Sequence, residues 1–380
     1  MVLCFEVGRE TKDKMDDLVS SRQYRDYSEL LAVSVANQFL FHNSKSAGER
    51  AEAGAISIPP AEGRATRVDG LPEEKRAESD RPVPANRQLE DSAIPPIFRH
   101  SVAIEGQVDV APLPNDAFAT GMEIPVDRWV FGQHNKLLPA KANVRALANL
   151  SHRDPKRSGV ELDSASREIA NAAARLGELF RSIDLQTGRS RDEAFGLAFP
   201  SSDPSNNDKS RLRYASQFVG AVSKEGRMTG LLIDLKLVNV DRQKPPRIRL
   251  TEPGRRFAEL SNPLMDGLDA NQQAKFSTEE LEFMLGHISE HVPVEAFAYS
   301  VTLRAIAEGH NTPEGLDLAL KKYLPERVDK PFTDAFLTTQ RAGVISRMAD
   351  LTLVTRARHG QNVTYVVTER GEEFIRKGEK

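Results

Sequence analysis

The sequence predicts a mainly α-helical protein with short β-hairpins. Three observations support this fold class: an N-terminal β-α-α pattern, a long segment poor in aromatic residues, and a pattern of helices and a hairpin that occurs twice in the rest of the chain. The predicted domains are a β-α-α unit at 1–43, a flexible linker at 44–122, and two tandem helix–hairpin domains at 123–262 and 263–380.

The composition of the 380-residue chain excludes several classes of protein. The single cysteine, Cys4, excludes an intrachain disulfide framework and metal sites built from several cysteines of one chain. Lys and Arg (52) nearly balance Asp and Glu (55), so the net charge of −3 alone indicates no partner. No apolar run reaches the length of a membrane span, and the charged N-terminus is unlike a signal peptide. We therefore expect a cytoplasmic protein without a membrane partner.

The first 43 residues pattern as one strand and two helices. Phe5 and Val7 share one face of the strand, Thr11 can cap the first helix, and Ser28 can cap the second. So small a unit cannot build a core alone, but pairing two strands across a two-fold axis would supply one. The residues predicted to form this dimer contact are Phe5, Val7, Leu30, Leu31 and Val35.

This unit resembles the ribbon-helix-helix family of prokaryotic DNA-binding dimers. The resemblance rests on the strand Phe5-Glu6-Val7, on the helix led by Thr11, and on Tyr24 followed by Ser28-Glu29-Leu30-Leu31, which is similar to the family's Y-x-x-x-S-E-L helix start. It implies a homodimer whose outward strand residues face the DNA. Backbone amides near Ser28 could also hold a phosphate at a helix N-terminus.

The segment 44–122 is rich in Ala, Glu, Arg, Ser and Pro and nearly lacks aromatic residues before Phe98. Such a composition buries too little apolar surface to offset the entropy of ordering the chain. We therefore predict that it is a flexible linker.

An internal repeat organises the remainder. Leu237–Phe257 matches Leu353–Phe374, since each begins with Leu-Val, crosses a polar turn, enters an apolar strand and closes with Thr-Glu-x-Gly. Upstream, Val144–Ala148 matches Leu303–Ala307. The larger spacing in the first copy indicates an insertion, to which the long helical pattern Leu162–Ile183 contributes.

Each copy predicts helices followed by a two-stranded hairpin and a closing helix. This order, with its Leu-Thr-Glu-x-Gly-like closure, is similar to the winged helix-turn-helix family. The resemblance covers roughly 123–262 and 276–378. It implies binding of double-stranded DNA, with the helix before the hairpin in the major groove and the hairpin, or wing, on the phosphate backbone.

In the second copy, helical spacing places Val344, Ile345 and Met348 on an inward face and small or polar residues on the other. Small side chains would let this helix approach a groove floor, while hydroxyls and guanidinium groups reach phosphates or base edges. Arg341 falls toward the apolar face and would have to extend along it to reach DNA. The DNA-binding residues predicted here are Thr339, Gln340, Arg341, Ser346, Arg347, Arg356, Arg358, His359 and Gln361.

In the first copy, the helix predicted at Arg227–Leu237 presents Ile233 and Asp234 outward, which are poor residues for reading a groove. The basic charge lies around it, because residues 209–259 carry twelve Lys and Arg and five Asp and Glu. These charges could contact the DNA backbone or simply form a solvated face. The residues predicted for backbone contact are Arg211, Arg213, Arg242, Lys244, Arg247 and Arg249.

One sequence motif is typical of a zinc-dependent enzyme. His287-Ile-Ser-Glu290-His291 fits H-x-x-E-H, in which two histidines hold zinc and the glutamate acts as a general base. The match is short, and Pro293 ends its helix, so a solvated helix face is favoured over a zinc hydrolase. The sequence contains no P-loop, dinucleotide fingerprint or G-x-S-x-G motif, so we predict no cofactor and no enzyme activity.

The function predicted from the sequence is therefore that of a dimeric transcriptional regulator, associated with the nucleoid, whose winged-helix units bind double-stranded DNA. Alanine at Arg347 and Arg358 is expected to weaken that binding. The alternatives are a protein-interaction scaffold built from winged helices and, less favoured, the zinc hydrolase.

Overall fold

The computed structural model describes residues 94–100, 109–115, 118, 122–153, 158–201, 207–223, 226–242, 244–267, 274–325, 332–359 and 362–378, together with Asp16. The chain divides into two units, Met1–Pro82 and Val83–Lys380, and the fold described here is that of the second. The ribbon-helix-helix predictions therefore lie outside the described residues, as does Gln361. These include the residues predicted for dimerisation and phosphate binding: Phe5, Val7, Ser28, Leu30, Leu31 and Val35.

The first half of the described chain is a helical framework with small antiparallel sheets. Its elements in chain order are α1 (Leu138–Arg153), β1 (Val160–Glu161), α2 (Leu162–Gln186), α3 (Asn207–Tyr214), β2 (Ala221–Val222), β3 (Met228–Thr229), α4 (Leu231–Asp234), β4 (Val238–Asp241), β5 (Arg247–Leu250) and α5 (Glu252–Glu259). Strand β5 lies between β1 and β4, with Ile248 opposite both Val160 and Val240. The long inserted helix predicted from Leu162 is confirmed as α2. The helix predicted at Arg227–Leu237 is wrong in length, because only the single turn α4 is helical there.

The second half has longer helices and a longer hairpin. Its elements are α6 (Pro263–Gly267), α7 (Thr278–His291), α8 (Pro293–Ala307), α9 (Pro313–Leu320), α10 (Asp334–Asp350), β6 (Val354–His359), β7 (Asn362–Val367) and α11 (Glu369–Gly378). Strands β6 and β7 pair in antiparallel register, from Val354 opposite Val367 to His359 opposite Asn362. Across both halves, the described residues are mainly helical with small antiparallel sheets, as the sequence predicted. No helix among them is long and apolar enough to cross a membrane.

The repeated Thr-Glu-x-Gly motif has the same geometry in both halves. The Thr251 hydroxyl accepts a hydrogen bond from the Gly254 amide, and the Thr368 hydroxyl accepts one from the Gly371 amide at 3.1 Å. The threonine therefore acts as the N-cap of the closing helix in each copy. A side chain at either glycine would overlap the carbonyl oxygen of the leucine that opens the repeat, which explains the requirement for glycine there.

The residue before each opening leucine is also equivalent. Lys236 and Thr352 both have left-handed backbone conformations, with φ of 53° and 57°. The carbonyl oxygen of each accepts a hydrogen bond from the capping threonine, Thr251 or Thr368, at 2.7 Å. This bond holds a strained residue in place, so the two copies share a local fold as well as a sequence pattern.

The predicted linker is wrong at its C-terminal end. Ile94, Ile97 and Phe98 are buried, and the turn Pro96–Phe98 packs on α1. Farther along, the amide of Ala111 donates to the carbonyl oxygen of Leu250 at 2.8 Å. A short apolar cluster beside two prolines supplies enough burial to order this stretch, although the surrounding composition suggested a linker.

Buried ion pairs connect the two halves. The Lys141 ammonium on α1 lies 3.1 Å from the Glu280 carboxylate on α7, and neither side chain is exposed. The Arg145 guanidinium, also on α1, donates to both carboxylate oxygens of Asp266, at 2.6 and 2.7 Å. Removing either partner of the first pair, or Asp266 from the second, would leave a buried charge uncompensated, so these contacts tie α1 to the helices that begin the second half.

Candidate nucleic-acid interface

Helix α10, the predicted recognition helix, is enclosed by its own chain. Its sequence favours a helix because Thr333 caps the N-terminus and the interior lacks proline. The backbone at Gly132 crosses it so closely that a side chain at Gly132 would overlap the backbone of Thr339. A side chain at Gly343 would likewise overlap the backbone of Gly132. The small residues expected to approach DNA instead admit a protein backbone.

Arg347 is the clearest correction to the predicted site. Its side chain has no solvent exposure, and its Nε and Nη2 atoms donate to the two carboxylate oxygens of Glu295 at 2.5 and 3.0 Å. Nη1 also donates to the carbonyl oxygen of His134 at 2.8 Å. A guanidinium satisfied in this way inside the protein cannot reach a phosphate, so the prediction that Arg347 contacts DNA is wrong.

Three neighbouring predicted residues are buried as well. Gln340 accepts a hydrogen bond from the Gly132 amide and donates to the carbonyl oxygen of Val126 at 3.0 Å. Arg341 donates to Asp317 at 2.7 Å, and Ser346 is only 5% exposed. The DNA-binding role predicted for Gln340, Arg341 and Ser346 is therefore wrong, because protein groups already occupy this face of α10.

The part of α10 that remains accessible borders a groove between the two halves. The groove has a volume of about 750 Å³. Thr338, Thr339 and Ala342 form one wall, so Thr339 alone among the five predicted residues of α10 retains access. The other wall comes from the first half and its insertion and includes Gln133, Asn135, Lys136, Arg191, Arg213 and Gln217. We call this feature the basic groove.

The charge of the basic groove is mostly uncompensated. Within the described part of the chain, Lys136, Arg191 and Arg213 have no carboxylate at ion-pair distance. Burial lowers the pKa of Lys136, and the nearby charge of Lys275 lowers it further, against the opposing effect of Asp350. Burial therefore desolvates Lys136, whereas Arg191 and Arg213 are exposed. Three cations without a carboxylate at ion-pair distance give the groove a positive potential, which favours an anionic ligand.

The second hairpin lies at the edge of this groove. Asp192, which lines the groove, accepts a hydrogen bond from the Arg358 Nε at 2.9 Å and lies 3.6 Å from the Arg356 Nη1. The Arg358 side chain remains 60% exposed, whereas that of Arg356 is 25% exposed. For His359 the structure describes the backbone alone, which pairs with Asn362. Two predicted wing arginines thus sit beside the groove and share one carboxylate.

The first hairpin keeps fewer of its cations accessible than predicted. The Arg247 Nε donates to the carbonyl oxygen of Ser158 at 2.8 Å, and Arg249 pairs with Asp109 at 3.4 Å. Arg242 and Lys244 are exposed near the hairpin turn. Arg247 and Arg249 therefore stabilise the chain around β1. Arg242 and Lys244 remain available to contact a phosphate backbone.

Of the two predicted DNA-binding residues on helix α3, one contacts the protein itself and the other remains accessible. Arg211 is half-buried and donates to Asn171 at 3.1 Å, whereas Arg213 is exposed and lines the basic groove. Lys136 and Arg191 were not among the site residues predicted from the sequence. The signal that could have found Arg191 is the basic, turn-forming run Thr187–Asp192 at the end of the inserted helix.

The H-x-x-E-H segment lies on α7, away from the basic groove. His287 is buried, and its Nε2 lies 2.7 Å from the carbonyl oxygen of Leu235. Glu290 instead lies 3.6 Å from the Nε2 of His291. Among the described residues, no group of three or more His, Cys, Asp or Glu side chains could hold a metal ion. The geometry therefore offers nothing that favours the zinc-hydrolase alternative.

Comparison of the chain with models of known protein families, with curated proteins and with solved structures finds no match.

Proposed function

We propose that this protein binds double-stranded DNA as a dimeric transcriptional regulator, with the basic groove and the second hairpin as its main contact surface. The observation that carries the proposal is a set of three cations, Lys136, Arg191 and Arg213, that lack a carboxylate partner among the described residues and line a groove bordered by the accessible part of α10. Phosphate groups are the anions that such a surface would bind through charge and hydrogen bonds.

The repeated arrangement of helices, hairpin and closing helix supports the winged-helix part of the proposal. In each copy a two-stranded hairpin follows a helix and is closed by a threonine-capped helix. The mode of contact proposed here differs from the one the resemblance implies. In this mode, helix α10 does not enter the major groove along its whole length. Its N-terminal half and the Arg356–Arg358 strand border the DNA, while its C-terminal half belongs to the core.

The remaining parts of the proposal rest on the sequence. A ribbon-helix-helix unit at 1–43 would join two chains, and two basic grooves in one dimer would bind DNA more tightly than one. Binding rather than covalent chemistry is the proposed activity, in the cytoplasm at the nucleoid and without a cofactor. A protein-interaction scaffold is the second candidate, because α10 already uses its small-residue face to pack on protein at Gly132 and Gly343.

Fluorescence anisotropy with random and promoter-derived duplexes at several salt concentrations tests the proposal. The informative variant replaces Arg191 and Arg213 by alanine, since both side chains are exposed and neither supports the core. The control replaces Arg175, which is exposed on α2 and does not line the groove. Loss of two phosphate contacts should reduce the salt dependence, the slope of log K against log salt, by about 2.

Two outcomes would contradict the proposal. One is the absence of salt-dependent binding to any duplex. The other is equal binding by the groove variant and the Arg175→Ala control. If the full chain binds no duplex but forms a defined complex with another protein, the scaffold is the better account.

A further inference from the structure

A second groove, of about 850 Å³, lies between α7 and α5 and differs from the first in charge. Its rim carries Glu279, Glu282 and Glu290, which are exposed on one face of α7. Glu252 on α5 completes the acidic lining but is already paired with Arg255 at 2.6 Å. We call this feature the acidic groove.

Aromatic rings form the floor of the acidic groove. Phe283 stacks on the buried Phe257 ring, with centroids 5.8 Å apart and planes inclined by 12°. The His287 ring also lies parallel to that of Phe283, with centroids 6.0 Å apart. The guanidinium of Arg256 lies 5.6 Å from the Phe283 centroid, so this floor already accepts one planar cation from within the chain.

His287 provides a second, independent indication of a ligand. The residue is only 4% exposed and lines the acidic groove. Because its Nε2 faces the Leu235 carbonyl oxygen, that nitrogen must carry the proton, which leaves Nδ1 as a hydrogen-bond acceptor. Within the described residues, Nδ1 has no hydrogen-bond partner. A buried acceptor without a donor is costly, and a ligand that supplies an N–H group would satisfy it.

We propose that the acidic groove binds an arginine-bearing peptide segment of a partner protein. The three exposed glutamates favour a cation, the aromatic floor already lies against the planar guanidinium of Arg256, and Nδ1 of His287 lacks an N–H donor among the described residues. Arginine meets all three conditions because its guanidinium is planar, charged and carries five donors. Nδ1 is closed to solvent, so a neighbouring side chain must turn to admit the ligand. The partly exposed His291 is a neighbour of this kind, with its ring centroid 5.4 Å from that of His287.

Gly286 gives the proposal a direct steric test. It is exposed on α7 between the glutamates and the aromatic floor, and a side chain built there would meet nothing within 4 Å. A tryptophan at this position has room for its Cβ, and its indole would take up space within the acidic groove. Alanine would leave the groove open and would favour the helix, so it serves as the matched control.

The experiment titrates the full chain into a fluorescein-labelled peptide in which arginine and leucine alternate. We expect saturable binding that weakens by roughly tenfold in Gly286→Trp and in the double variant Glu282→Gln, Glu290→Gln, and that is retained in Gly286→Ala. The double variant keeps the test valid if tryptophan disturbs α7, since both glutamates are exposed. DNA binding should be unchanged in all three variants, because none of these residues lines the basic groove.

Three results would overturn the proposal. The first is the absence of saturable peptide binding to the unmodified chain. The second is unchanged peptide affinity in both the tryptophan and the glutamine variants. The third is displacement of the peptide by equimolar spermidine, which would show a site for free polyamines rather than for a peptide segment.

Discussion

Arg347 on α10 and Glu295 on α8 form a two-point ion pair inside the protein, with N–O distances of 2.5 and 3.0 Å and no exposure of either side chain. The same guanidinium donates to the carbonyl oxygen of His134, which belongs to the segment leading into α1. One arginine therefore joins the second repeat to the start of the first. It belongs to the connection between the two halves rather than to a DNA-binding surface.

Arg347→Ala should destabilise the fold by about 3–5 kcal/mol, because the Glu295 carboxylate would remain buried without its partner. Urea denaturation followed by circular dichroism measures this change. Arg358→Ala is the control, since Arg358 is 60% exposed and its removal should alter the unfolding free energy by less than about 1 kcal/mol. Equal stability of the two variants would contradict the buried position of Arg347.

Gly132→Ala should destabilise the fold by about 1–3 kcal/mol, because the new methyl group would overlap the backbone of Thr339 and force the crossing segments apart. Gly286→Ala, on the open face of α7, should instead stabilise the protein by about 0.5–1 kcal/mol through helix propensity. Thermal unfolding of both variants checks the pair of predictions. A change of the same sign in both would show that the close approach on α10 is not the cause.

Asp192→Asn should strengthen DNA binding if the proposed function is correct. The carboxylate holds Arg356 and Arg358 at the edge of the basic groove, and its loss would free both for phosphates. An increase of about 3–10-fold at low salt and a steeper salt dependence are expected. Asp208→Asn, an exposed position on α3 outside the basic groove, controls for the general change in charge. If the two variants gain affinity equally, the pairing at Asp192 has no specific role.

The stability of the protein should fall as the pH falls below 6.5. Burial lowers the pKa of His287 from its usual value of 6.5 and outweighs the hydrogen bond to the Leu235 carbonyl oxygen, which raises it. The nearby charges of His291 and Lys236 lower the pKa further, against a smaller opposing effect of Glu290. In the window between 6.5 and the lower folded pKa, the unfolded chain binds a proton that the folded chain does not. Unfolding therefore becomes easier as the pH decreases.

Denaturation at a series of pH values from about 5 to 8 measures this effect, since the expected window lies below the ordinary histidine pKa. His287→Gln, which can still donate to the Leu235 carbonyl oxygen, should flatten the dependence. An identical pH profile in the variant would assign the effect to another group.

Local structure could be read largely from the sequence. The period of apolar residues predicted the inserted helix that begins at Leu162, and the Thr-Glu-x-Gly repeats predicted the closing helices, which the structure shows capped by Thr251 and Thr368. These features depend on residues a few positions apart, whose hydrogen bonds and packing the chain order specifies directly. The ordered end of the predicted linker was harder to predict from the sequence. The burial of Phe98 depends on α1, which follows about forty residues later.

The use of each surface was decided only in the tertiary structure. Small residues along α10 suit close approach to a DNA groove and equally to a protein backbone, and the crossing at Gly132 settles which of the two occurs. Likewise, an arginine in a helix can bind a phosphate or a carboxylate of its own chain, and the sequence pattern does not distinguish the two. The partner of Arg347 lies 52 positions away. In the described residues, the sequence by itself determined the inserted helix, the two hairpins and the closing helices, because those interactions are local. Tertiary packing decided which cations stayed free, because desolvation and ion pairing depend on groups brought together from distant parts of the chain.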